Sequence, residues 1–161
     1  NPKTVYGRSK RAGENYVREF THKHFVIRSS WIFGHGDNFV TRVLRKAGNG
    51  ELIEAAIDET GCPTSAKDLA RIILYLITTN EYATCKGLCS RYDFAREILS
   101  LAGLHAEVKE ISIADSKEHL VRPAYAVLDN FILRIIDVYE MPKWKQSLEE
   151  YIAEWKEETH E

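Results

Sequence analysis

The sequence predicts a mixed α/β fold, because segments with the character of β-strands alternate with segments of helical periodicity. Residues 65–78 carry apolar side chains spaced three and four apart, which is typical of a helix with one buried face. Residues 24–29 form a short run, rich in β-branched and aromatic residues, that indicates a buried strand. A chain of 161 residues is long enough to bury a core and suits one ordinary domain.

Capping residues and apolar spacing place the remaining elements. Ser90 precedes an apolar-periodic run and Asp93 follows three positions later, so the pair is close to a capping box at the start of a helix. Gly103 closes that helix, as glycine commonly does. We expect the acidic end of the chain, residues 157–161, to be frayed. The other predicted elements are a helix over 5–20, a turn-rich loop over 31–37, a helix over 38–47, a strand over 51–57, a Gly/Pro loop over 58–64, a strand over 107–113, a loop at Arg122-Pro123 and a last amphipathic helix containing 144–155.

Charge and cysteine content exclude several classes of protein. The net charge is −2, so a broad basic surface for nucleic acid is not expected, and no apolar run is long enough for a membrane span. Three cysteines without a secretory leader indicate free thiols in a reducing compartment and a cytoplasmic location. Cys85 and Cys89 have no second pair at zinc spacing, and His22 and His24 need not converge, so we expect no metal site.

Tyr6 and Lys10 form the pattern that carries chemistry. Residues four apart lie on the same face of a helix, about one turn from each other. An ammonium beside a phenol stabilises the phenolate, and a tyrosine in that setting can give a proton to a carbonyl oxygen as hydride arrives at the carbon. The lysine has donors left to hold a sugar hydroxyl of a cofactor. In isolation, however, the pattern favours an ordinary surface Tyr and Lys.

The neighbouring motifs change this interpretation. They are, in chain order, Tyr6-Gly7-Arg8-Ser9-Lys10-Arg11-Ala12-Gly13-Glu14, Val26-Ile27-Arg28-Ser29-Ser30-Trp31-Ile32-Phe33-Gly34, Asp37-Asn38-Phe39-Val40, Asp58-Glu59-Thr60-Gly61-Cys62-Pro63-Thr64, Lys67-Asp68-Leu69-Ala70, Cys89-Ser90-Arg91-Tyr92-Asp93-Phe94-Ala95 and Arg122-Pro123-Ala124-Tyr125-Ala126-Val127-Leu128-Asp129. In this order and spacing the series strongly resembles the C-terminal half of the dTDP-4-dehydrorhamnose reductase family, which belongs to the extended short-chain dehydrogenase/reductase superfamily. The joint match is specific, whereas each motif alone is not.

The resemblance implies a fold: the C-terminal part of a Rossmann-type extended short-chain reductase with a small α/β substrate-binding lobe. Residues 1–36 would hold the catalytic helix and one strand of the nucleotide-binding fold, and residues 37–161 mainly the substrate-binding lobe. The family's N-terminal Rossmann half, with its pyrophosphate-binding loop and its catalytic Ser/Thr, is absent. We therefore expect a fragment that is inactive alone and that associates as a homodimer or through the face left by the missing half.

The resemblance also implies an activity and three site residues. The family reduces the 4-keto group of dTDP-4-dehydrorhamnose with NADPH or NADH, and the product is a precursor of cell-surface polysaccharide. Tyr6 would be the proton donor, and Lys10 would support it while binding the nicotinamide ribose. Trp31 matches the family tryptophan that contacts the substrate sugar, for which an indole offers an apolar face and one N–H donor. The alternative for Trp31 is a core aromatic at the end of a strand.

Asn38, Thr64 and Arg122 are further candidate substrate-binding residues. In related reductases the loops at these positions help to hold the nucleotide diphosphate and base, and an arginine fork suits a diphosphate. Arg122 could equally be a solvated loop charge. Asn38 could instead cap the helix that follows it.

The chain also departs from the family pattern. Glu59 stands where the family usually has Gln, which puts a base contact there in doubt, and a strand expected between Gly87 and Cys89 is missing. Two other functions stay open: a non-catalytic nucleotide-binding or regulatory module, and a related reductase or epimerase for another nucleotide sugar. Tyr6, Lys10 and Trp31 together favour the enzyme.

Overall fold

The computed structural model describes residues 2–79, 87–115, 124–128 and 141–160. Helices and short strands alternate along the chain, so the predicted α/β fold class is confirmed. The helices are α1 (Val5–Phe20), α2 (Phe39–Gly48), α3 (Ala66–Thr79), α4 (Arg91–Ala102) and α5 (Trp144–His160). The strands are β1 (Ile32–Phe33), β2 (Ile53–Ala56), β3 (Thr60–Gly61), β4 (Thr64–Ser65), β5 (Cys89–Ser90), β6 (Val108–Ile111) and β7 (Tyr125–Ala126).

The strands of the described residues pair in three small sheets. β1 lies parallel to β4, with Ile32 opposite Thr64, and β2 lies parallel to β6 over four residue pairs. In the third sheet β3 is central, antiparallel to β5 and parallel to β7. Residues far apart in sequence are therefore brought together around β3 and β4, and β3 lies beside the start of α4.

Helix α4 is at the centre of the core. Phe94 is 0% exposed, and its ring lies 5.6 Å from the rings of Phe39 and Trp144, measured between centroids. The rings of Phe33 and Trp31 belong to the same aromatic cluster. Their centroids lie 5.9 and 6.3 Å, respectively, from that of Phe94. The apolar stripe predicted for the last helix is confirmed as core packing. Its buried members are Trp144, Leu148 and Ile152.

The capping residues set the helix boundaries. The Ser90 hydroxyl accepts from the Asp93 N–H while the Asp93 carboxylate accepts from the Ser90 N–H, so the predicted capping box is present. Gly103 has a φ of 72°, the left-handed conformation that ends α4. None of the described helices is both long and apolar enough to cross a membrane.

Three predictions about the elements require correction. The predicted strand over 24–29 is wrong. No described segment forms ladder hydrogen bonds with it, and a β-strand requires such a paired neighbour. The predicted loops over 31–37 and 58–64 contribute residues to short strands. Gly87 and Leu88 are outside any strand, and the two-residue β5 begins only at Cys89, where it pairs with β3. The end of the chain is helical as far as His160, and Lys156 ties it to α4 by donating to the Leu101 carbonyl at 2.8 Å. The predicted loop at Arg122-Pro123 lies outside the described residues.

Helix α1 contains no buried residue. Its exposed apolar side chains include Phe20, which is 80% exposed, and the association of the chain with itself or with the missing half stays a prediction. A bidentate ion pair joins the helix to the following segment. Arg28 donates from Nε to Glu14 Oε1 at 2.7 Å and from a terminal nitrogen to Oε2 at 2.8 Å, and Arg11 donates to Glu14 at 3.1 Å.

This ion pair predicts a pH dependence. The hydrogen bonds from Arg28 lower the pKa of Glu14 to about 2 from an ordinary value of 4.5. A lowered pKa means that the pair's contribution, about 1 kcal/mol at such an exposed site, is complete above pH 4.5 and is lost as the pH falls toward 2. We expect the difference in unfolding free energy between wild type and Glu14→Gln to shrink across this window in urea titrations. The difference in unfolding free energy between wild type and Arg28→Met should shrink over the same pH range. A difference that does not change with pH would contradict the assignment of this ion pair as its cause.

Candidate active site

Tyr6 and Lys10 lie on one exposed face of α1, as predicted. The Thr4 side chain accepts from the Gly7 N–H at 3.0 Å and begins the helix, so Tyr6 lies in the first turn. The Lys10 Nζ atom is 5.6 Å from the centroid of the Tyr6 ring, and Tyr6 is 55% exposed. Within the described residues neither side chain has a hydrogen-bonding partner. The phenol and the ammonium are therefore accessible to a ligand from outside the helix.

Trp31 takes a conformation that is unusual for a residue with a side chain. Its φ is 45°, in the left-handed region, which costs about 1–3 kcal/mol for such a residue. The Trp31 carbonyl accepts from the Thr64 N–H at 3.2 Å, and the indole stacks on Phe94. Trp31 as a whole is partly buried. Surrounding contacts thus hold a strained residue that is not fully enclosed.

Arg91 and Glu59 complete the surroundings of the indole. The centre of the Arg91 guanidinium lies 3.9 Å from the Trp31 ring centroid and 4.7 Å from that of Phe39. Arg91 Nε donates to Glu59 Oε2 at 3.3 Å, and its backbone N–H donates to the Glu59 carbonyl at 3.0 Å. The acid that replaces the family's usual Gln is therefore matched by a buried cation.

Gly61 leaves room for the indole. A Cβ at this position would lie 2.5 Å from Trp31 Cε2 and 2.8 Å from Nε1. Gly61→Ala is therefore expected to displace the ring and to lower the unfolding free energy by about 1–3 kcal/mol, measured by urea denaturation. The matched control is Gly13→Ala in α1, where no atom beyond the adjacent residues and the backbone of the helix itself lies within 4 Å of the added Cβ. We expect the control to be neutral or to stabilise by up to about 1 kcal/mol, and equal losses would contradict the account.

Asn38 and Thr64 both have structural roles. Asn38 caps α2: its Oδ1 accepts from Val40 and Thr41, and its Nδ2 donates to the carbonyls of Gly34 and Gly36. The capping alternative is therefore confirmed. Thr64 is 2% exposed and its hydroxyl donates to the Cys62 carbonyl at 3.1 Å.

Substrate binding by these two residues stays a prediction, and Arg122 lies outside the described residues. In the structure Tyr6 lies near Lys10, and Trp31 lies near Thr64. No described hydrogen bond, ion pair or ring contact joins the Tyr6/Lys10 pair to the Trp31/Thr64 pair. The sequence interpretation missed Arg91. The only signal was its place in the Cys89–Ala95 motif, together with the unusual Glu59.

The described cysteines are buried free thiols. Burial raises the pKa of Cys62, and burial together with the nearby Asp93 carboxylate raises that of Cys89 to about 12. A thiol acts as a nucleophile in its deprotonated form. Neither side chain is therefore suited to nucleophilic chemistry at neutral pH.

Comparison with known proteins decides the family. A family model described as the RmlD substrate-binding domain matches residues 1–157. The chain belongs to the RmlD substrate-binding domain family. This membership agrees with the resemblance predicted from the motifs.

Members of the same fold with known structures are close in backbone geometry. The chain is similar to a dTDP-4-dehydrorhamnose reductase of Clostridium acetobutylicum, with 36% identity and a TM-score of 0.90 over 97% of this chain and 57% of that one. It is similar to the dTDP-4-dehydrorhamnose reductase of Bacillus anthracis in complex with NADP, with 34% identity and a TM-score of 0.88 over 96% and 57%. The spore coat polysaccharide biosynthesis protein SpsK of Bacillus subtilis is 34% identical over 96% of this chain and 56% of that protein. The chain thus spans about half the length of the curated relatives it matches.

Proposed function

We propose that the chain is the part of an NAD(P)H-dependent reductase that carries the proton donor and binds the sugar of dTDP-4-dehydrorhamnose. The observation that carries this proposal is the Lys10 ammonium 5.6 Å from the centre of the exposed Tyr6 ring. The family membership and the NADP complex of a similar reductase support it. The product would be dTDP-rhamnose, a polysaccharide precursor.

Tyr6 is the acid in this proposal. Its hydroxyl gives a proton to the 4-keto oxygen of the sugar, and the phenolate that remains is stabilised by the positive charge of Lys10. Bound NADPH or NADH would supply the hydride. Lys10 has three N–H donors, of which some stay free to bind a ribose hydroxyl of that cofactor.

Both side chains fit a cofactor that approaches α1 from outside. They are exposed on one face of the helix, and no described side chain competes for their polar atoms. Trp31 is the second binding element, for the sugar. Its indole presents an apolar surface and one N–H donor, which suits a deoxysugar ring.

Turnover assays test this proposal. The full-length product of the gene that encodes this chain is expected to oxidise NADPH in the presence of dTDP-4-dehydrorhamnose and to form dTDP-rhamnose. The 161-residue chain alone is expected to show no turnover. A full-length protein that leaves NADPH unconsumed would overturn the proposed reductase. Oxidation of NADPH only with a different 4-keto sugar nucleotide would overturn the proposed substrate.

A further inference from the structure

Arg91 occupies a position that helix stability does not favour. It is the first residue of α4, directly after the Ser90 cap, and a cation at a helix N-terminus opposes the helix dipole. The side chain is nevertheless buried, with 7% of the residue exposed. Burial of a charge requires a partner, and Glu59, itself largely buried, supplies it.

The segment that begins at Glu59 contacts both Arg91 and Trp31. Glu59 holds Arg91 through both its side chain and its carbonyl. Two residues later Gly61 lies against the indole of Trp31, where a Cβ would clash. The planar guanidinium lies 3.9 Å from the Trp31 ring, a distance at which cation–π attraction and stacking are both strong.

We propose that Arg91 is a positioning residue for Trp31: held by Glu59, its guanidinium keeps the indole in the orientation that binds the substrate sugar. This inference rests on the proposed function for its substrate, because the contact of Trp31 with the sugar belongs to that function. Arg91 acts through the indole and not on the reacting atoms. Its loss should therefore weaken binding of the sugar nucleotide and leave the chemical step nearly unchanged.

A paired substitution tests the role without leaving a buried charge unmatched. Glu59→Gln with Arg91→Met removes both charges and keeps similar side-chain volume. The structure offers a control, because Lys145 lies 5.5 Å from the ring centroid of Trp144 and pairs with Glu97 at 2.7 Å. Glu97→Gln with Lys145→Met removes an ion pair and a cation–π contact that are more exposed than those of Arg91 and that do not involve Trp31.

Steady-state kinetics of the full-length gene product, with dTDP-4-dehydrorhamnose and NADPH, form the first arm. The Glu59/Arg91 pair of substitutions is expected to raise the sugar KM about tenfold, with kcat changed by less than about twofold. In a Trp31→Phe background the same pair should have almost no further effect, because the side chain through which Arg91 acts is gone. A full additional loss in that background, or an equal loss in the control pair, would overturn the inference.

Nuclear magnetic resonance of the 161-residue chain forms the second arm and needs no activity. The Nε1–H signal of Trp31 is identified by its loss in Trp31→Phe. We expect this signal to move in the Glu59/Arg91 variant and the Trp144 signal to move in the control variant. An unmoved Trp31 signal would overturn the positioning role even in an active enzyme. Absence of turnover with a moved signal would instead overturn the proposed function, and the sugar-binding part of this inference with it.

Discussion

Replacing Tyr6 with Phe in the full-length gene product is expected to lower kcat by about 10²–10⁴-fold, the range that general acid catalysis contributes. The substitution removes one hydroxyl and keeps the ring beside the Lys10 ammonium. Little binding surface is lost, so the affinity for the nicotinamide cofactor should stay nearly the same. Steady-state oxidation of NADPH measures kcat. Fluorescence titration with NADPH measures the affinity for the cofactor.

Tyr16 provides the matched control for this experiment. It lies on the same helix and is exposed to a similar degree as Tyr6, and its ring stacks on Phe20. Tyr16→Phe removes the same hydroxyl from α1 and should leave kcat unchanged. A Tyr6→Phe protein that turns over at the wild-type rate, or an equal loss in Tyr16→Phe, would end the assignment of Tyr6 as the proton donor.

Replacing Phe94 with Ala is expected to lower the unfolding free energy of the 161-residue chain by about 3–5 kcal/mol. Phe94 is fully buried and contacts four aromatic rings from three other segments, so its removal leaves a cavity that they cannot fill by small shifts. One of these rings is Trp31, so the substitution should also loosen the indole. Urea denaturation followed by circular dichroism measures the loss.

Phe20→Ala is the matched control for Phe94→Ala. It deletes the same atoms from a side chain that is 80% exposed on α1. Its effect should stay within about 0.5 kcal/mol, as at most surface positions. If the two substitutions cost similar amounts, the core does not centre on α4 as described.

The parts of the fold that follow from local patterns were predictable from sequence. The box formed by Ser90 and Asp93, the left-handed Gly103 and the apolar stripe of α5 each depend on residues within a few positions of one another. The short strands were not predictable in the same way, because β3 and β5 pair with each other across about thirty residues of chain and β3 also pairs with the still more distant β7. The run over 24–29 shows the converse. Strand propensity alone does not make a strand when no described segment pairs with it.

The same distinction between local and long-range contacts applies to the candidate site. Tyr6 and Lys10 were predictable because one helical turn brings them together, and α1 confirms that arrangement. The surroundings of Trp31 depend instead on contacts between distant segments. Glu59 and Arg91 are 32 positions apart, and neither spacing nor periodicity indicates that they form an ion pair beside the indole. The two alternatives for Asn38, a helix cap or a substrate-binding residue, were visible in the sequence, and the structure confirms the cap.

The most direct measurement follows a deuterium label from the cofactor to the sugar. The full-length gene product is incubated with dTDP-4-dehydrorhamnose and NADPH that carries deuterium at the transferable position, and the product is examined by nuclear magnetic resonance. We expect dTDP-rhamnose with deuterium at the former carbonyl carbon, formed by the wild-type protein and by Tyr16→Phe but not by Tyr6→Phe. Unlabelled product, or label transferred equally well by Tyr6→Phe, would contradict a reduction in which Tyr6 supplies the proton.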